Sequence, residues 1–166
     1  RRFRSAPDMA AAFWLADIAG GELAAYLAYR SEVVTSLVGE IRARVRKDAT
    51  VAVIPSVARP TGGAWYEGTD LAALAENPGL IEACFYEPSV ERIAADLFDI
   101  RRRMGGKGKL RGILRPAHPD LASKGECLAA VATLQAGGVD ELAFYNFGHL
   151  RRANLGWIGE ALRGAA

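Results

Sequence analysis

Glu87 is the residue whose type and position best suit chemistry. It closes the apolar run Leu80-Ile-Glu-Ala-Cys-Phe-Tyr-Glu87. There, burial and the adjacent Tyr86 phenol would raise a carboxyl toward acid/base work. The plainer role is charge at a helix start, because Pro88-Ser89 follow and a carboxylate is favourable there in any case. Glu67 is the second candidate, beside Trp65 and Tyr66 in a Gly-rich stretch. Two carboxylates about 5–9 Å apart would suit hydrolysis of a glycosidic bond. Trp65 and Tyr66 offer faces for a sugar ring, or equally anchors for their own loop.

Arg59 and Arg115 each precede a proline just beyond an apolar run. An Arg in that place must meet a carboxylate, a phosphate or solvent. A salt bridge to Glu67 or Glu87 answers that need, and so does an anionic ligand. His118 and His149 are the two histidines, and with Asp120 or Glu87 they could ligate a metal. No Hx3H or HxH pair accompanies them, so hydrogen bonding or proton transfer is an equal reading and no metal or cofactor is expected. Gly105-Gly-Lys-Gly108 lacks the spacing of a phosphate loop and reads as a turn. No GxSxG elbow is present, and neither Cys84 nor Cys127 is placed as a nucleophile.

These residues gain meaning from the elements that carry them. Val51-Ala-Val-Ile-Pro-Ser56, Leu80 to Glu87, Leu110-Arg-Gly-Ile-Leu-Arg115 and Leu142-Ala-Phe-Tyr-Asn146 are short apolar segments at regular intervals. A polar turn and a helix-patterned stretch follow each one. Helices are expected near 69–76, 88–103, 126–135 and 152–162. The pattern is a βα unit repeated four times over 49–166, and such repeats build parallel sheets. The runs are apolar more than alternating, as in strands buried on both faces. A helical lead-in occupies 1–48: Met9 to Ile18, a Gly20-Gly21 break, then a long helix from about Glu22 to Arg46. Leu23, Leu27, Val34, Leu37, Val38, Ile41 and Val45 mark its apolar stripe. Strand ends and the loops after them are where ligands bind in such folds. That rule gathers Ser56, Arg59, Trp65, Tyr66, Glu67, Tyr86, Glu87, Arg115, His118, Asp120, Tyr145, Asn146 and His149 on one rim. A polar and aromatic set of this kind suits a carbohydrate or another polyhydroxylated small molecule.

Two stretches resemble known proteins. Tyr29-Arg30-Ser-Glu-Val-Val-Thr-Ser-Leu-Val-Gly-Glu-Ile-Arg42 leading into Val51 to Ser56 resembles the middle of glycoside-hydrolase-like TIM barrels. Gly138-Val-Asp-Glu-Leu-Ala-Phe-Tyr-Asn-Phe-Gly148 with Leu155-Gly-Trp157 resembles their last strand and helix. The likeness is to a poorly characterised group of glycosyl hydrolases. It implies the C-terminal half of a (β/α)8 barrel, strands five to eight, in one domain over 1–166. It also implies a nucleophile after strand seven, where this chain has Arg115. A metal-dependent or lyase-type barrel using His118, His149 and Glu87 is the alternative, and a non-catalytic ligand-binding barrel is the third.

Composition narrows the classes. The 166 residues are 51% apolar with a net charge of +2, too little to argue for nucleic acid. Arg1-Arg2, Arg101-Arg102-Arg103 and Arg151-Arg152 read as solvated surface. No run is long and apolar enough for a membrane span. Two well-separated cysteines fit core positions in a reducing, cytoplasmic setting. The chain opens on Arg1 inside a helix-patterned region, as a fragment or processed chain would. A half-barrel leaves strand edges unpaired, so a second copy or a missing N-terminal half is the expected partner.

Overall fold

The computed structural model describes residues 22–56, 59, 67–77 and 79–164. Trp65, Tyr66 and the helix expected over Met9–Ile18 lie outside that set. The fold is α/β. Among the described residues it has helices α1 (Glu22–Arg44), α2 (Leu71–Glu76), α3 (Val90–Met104), α4 (Lys124–Ala136) and α5 (Arg152–Arg163), and strands β1 (Leu80–Cys84), β2 (Lys109–Leu114) and β3 (Glu141–Phe144).

The strands form one parallel sheet in the order β1-β2-β3. Cys84 lies opposite Ile113, and Leu114 opposite Phe144. The order follows the chain without reversal. The helices track it, α2 packing on α3, α3 on α4 and α4 on α5. Segment 51–56 holds the expected fourth place beside β1, but only as a single parallel bridge between Val53 and Ile81. Val53 N–H donates to the Leu80 carbonyl at 3.1 Å, and its own carbonyl accepts from Glu82 N–H at 2.8 Å. The next donor in that ladder would be residue 55. It is Pro55, which has no N–H, and the strand stops there.

Alternation sorts the sheet into two unlike faces. Ile81, Ala83, Phe85, Leu110 and Leu114 face the helices and join Ile93, Leu97, Ile100, Met104, Cys127, Val131 and Leu134 in one core. Gly112 belongs to this face. A Cβ there would meet the Leu134 side chain at 2.9 Å, so the glycine lets α4 sit down on β2. The other face carries Glu82, Arg111 and Glu141 in register. Arg111 bonds both carboxylates, making an ion-paired row across the sheet. The expectation of strands buried on both faces therefore fails at this row, and β3 is half-buried along its whole length. The signal lay in two charges at strand-interior positions, Glu82 and Arg111; Glu141 opens β3.

Helix ends are set by local chemistry. Asp70 caps α2 by accepting from Ala72 and Ala73 N–H. Ser89, directly after Pro88, caps α3 by accepting from Arg92 N–H at 3.2 Å. Ser123 and Glu126 form a reciprocal capping box at α4. Gly105 ends α3 in the left-handed region at φ 65°. Gly108, also at φ +65°, lies hard against the Ala75 and Gly79 carbonyls. The Gly105–Gly108 stretch is thus the turn into β2, at the end of the sheet away from the rim, as expected.

The long helix departs from its expected stripe. Val38 packs on the core, and Val34 is half-buried beside Gly68. Leu37 and Ile41 are exposed instead, with Tyr26, Tyr29 and Val33.

Candidate functional site: the strand-end rim

Two side-chain clusters form where the strands end, one on each face of the sheet. On the face bearing the ion-paired row, alternation places Cys84 at the end of β1, Tyr86 beyond it, Arg115 beyond β2 and Tyr145 beyond β3. The Arg115 guanidinium carbon lies 4.7 Å from the Tyr86 ring centroid. Tyr145 stands beside it, its ring centroid 5.8 Å from that of Tyr86 at an interplanar angle of 42°. Asp120 fixes the arginine from behind, its Oδ2 accepting from Arg115 Nε at 2.6 Å. The carboxylate side chain is 6% exposed and the arginine 32%. Burial pushes the Tyr86 phenol up, and its hydrogen bond with the Cys84 thiol adds to the rise. The Cys84 thiol is itself raised by burial. Two tyrosines and a stacked arginine thus make a platform at the strand ends, next to the buried Cys84 thiol.

The second cluster centres on Glu87, which is buried although it lies three residues beyond the end of β1. Its neighbours are guanidinium groups. Arg59 Nε approaches Oε1 at 3.6 Å and Arg92 Nη1 approaches Oε2 at 3.4 Å. Arg59 also donates through Nη2 and Nε to Asp96, a buried carboxylate on α3. The phenol expected beside Glu87 stands in the platform instead. The salt bridge expected for Arg59 exists, with Asp96 added as its main partner. Glu67 is exposed, and desolvation nudges its carboxyl up. It is not among the partners of Glu87.

The remaining predicted residues divide between structure and surface. Asn146 accepts from His149 N–H at 3.1 Å and so caps the 3-10 turn Phe147–His149. His118 and His149 are exposed, and neither side chain makes a hydrogen bond or ion pair among the described residues. No group of three or more His, Cys, Asp or Glu there could hold a metal ion. Ser56 is 2% exposed, and its hydroxyl has no hydrogen-bond partner among the described residues.

Sequence reasoning missed Asp96 and Arg92. Asp96 had a readable signal: it falls three residues after Ile93 and four before Ile100, on the buried stripe of α3. A carboxylate on such a stripe needs a cation. A separate groove of about 610 Å³ lies between α1 and α2, lined by Ser31, Glu32, Thr35 and Asp70 among others.

Comparisons with protein-family models, curated proteins and solved structures returned no match. No helix among the described residues is long and apolar enough to cross a membrane.

Proposed function

We propose that this chain is one half of a carbohydrate-active (β/α)8 barrel, its site lying at the C-terminal strand ends. The observation that carries the reading is the Tyr86–Arg115–Tyr145 platform. Sugars are bound by aromatic faces that meet their C–H surfaces and by planar donors that meet their hydroxyls, and the platform offers both on a rigid base. The sequential parallel order of the strands supports the barrel, since doubly wound sheets reverse direction. Glu87, ion-paired through both oxygens, is the carboxylate that anchors this rim, with Glu67 as the second acidic group. Trp65 and Tyr66 are the further aromatics proposed to contact sugar in this reading.

The test is glycan hydrolysis and binding by the full chain and by Glu87→Gln. Loss of turnover with binding retained supports a catalytic Glu87. Turnover equal to the parent removes Glu87 from the chemistry. Absence of any glycan binding removes the carbohydrate reading.

A further inference from the structure

We infer that the sugar taken at this rim is an acidic one, its carboxylate seated on the terminal nitrogens of Arg115; the inference rests on the carbohydrate reading above. The arginines of the sheet and rim differ in what they have left to give. Arg111 spends Nε and both terminal nitrogens on Glu82 and Glu141. Arg59 spends Nε and Nη2 on Asp96. Arg115 spends Nε alone, on Asp120. Its two terminal nitrogens have no hydrogen-bond or ion-pair partner among the described residues, and the side chain is 32% exposed.

The group is also held still. Asp120 fixes one edge, and the Tyr86 ring fixes one face. The remaining edge presents two parallel N–H donors, the geometry that fits a carboxylate bidentately. A sugar hydroxyl uses one such donor well and leaves the other poorly paired.

Charge on the surrounding loops points the same way. The segments that follow β1, β2 and β3, residues 85–89, 115–123 and 145–152, contain Arg115, Arg151 and Arg152 against the carboxylates Glu87 and Asp120, and Glu87 is ion-paired to Arg59 and Arg92. Asp120 is already engaged, and Arg151 and Arg152 are exposed. A neutral ligand gains nothing from that excess, whereas an anionic one is attracted and oriented by it.

The experiment is calorimetric titration of the full chain with a galacturonate trimer, a galactose trimer of the same linkage and a sulfated galactose trimer. The uronate is expected to bind at least tenfold tighter than the neutral sugar, with the ratio falling as salt is raised. Arg115→Lys keeps the charge beside Asp120 and removes the fork, and is expected to cut the uronate-to-neutral ratio at least fivefold. Equal affinity for uronate and neutral trimers overturns the acidic-sugar inference and leaves the carbohydrate reading standing. Binding of none of the three overturns both. A preference for the sulfated trimer overturns the carboxylate as the group that is read, and an undiminished ratio in Arg115→Lys overturns the seat on Arg115. If Arg115→Lys does not fold, the wild-type Arg115 guanidinium resonance reads the same contact. It should shift with uronate, and an unmoved resonance at saturation overturns the seat.

Discussion

At the residue scale, the ion pairs of this protein are not equivalent. Arg44–Glu40 on α1 has side chains 75% and 62% exposed. Such pairs contribute about 0.3–0.5 kcal/mol, so Arg44→Ala should leave the urea midpoint nearly unchanged. Arg115–Asp120 joins a buried carboxylate to a half-buried guanidinium. Asp120→Asn should cost roughly 1.5–3 kcal/mol, the range for a charged hydrogen bond, and should free Arg115 to move off Tyr86. A denaturant midpoint equal to wild type would contradict that. The thiols give a second check. Cys84 and Cys127 are buried, and burial pushes both thiols up. Iodoacetamide should label them slowly in the folded protein and fast in denaturant. Fast native labelling of Cys84 would show that the platform leaves its thiol open to solvent.

At the scale of elements, two glycines in one turn separate conformational strain from steric conflict. Gly106 has φ +74° and open space around its missing Cβ; Gly108 has φ +65° and a Cβ there would sit 2.8 Å from the Gly79 carbonyl oxygen. Gly106→Ala should cost about 1–2 kcal/mol from the left-handed backbone alone. Gly108→Ala should cost clearly more, because backbone must shift; equal losses in thermal unfolding would refute the distinction. Ser123→Ala removes half of the α4 capping box and should cost about 1 kcal/mol.

The same elements show what was legible in advance. β1, β2, β3 and the helices α3, α4 and α5 lie within a few residues of their expected bounds, because apolar runs, capping residues and glycine turns are local signals. The strand expected over Val51–Ser56 was not legible at that resolution, since it depended on which donor Pro55 removes from a ladder with β1. The rim was only half legible. Strand ends identified Tyr86, Arg115 and Tyr145 as rim residues. That Asp96, not Glu67, is the strong partner of Arg59 depends on packing between a loop and α3, which spacing along the chain does not encode.

At the scale of the whole molecule, apolar surface remains uncovered. Tyr26, Tyr29, Val33, Leu37 and Ile41 are 45–62% exposed along α1, and β3 has no described strand on its outer edge. Exposed stripes and open edges promote association. Sedimentation velocity should show self-association growing through the micromolar range, reduced in Leu37→Lys/Ile41→Lys. A single monomeric species across that range would contradict this.

We propose that ligands meet this protein at the strand-end platform. Backbone and side-chain NMR during titration with an oligosaccharide tests it most directly. Saturable shifts are expected at Tyr86, Arg115 and Tyr145, with the α1–α2 groove around Thr35 and Asp70 unmoved. Shifts confined to that groove, or none at millimolar sugar, would contradict it.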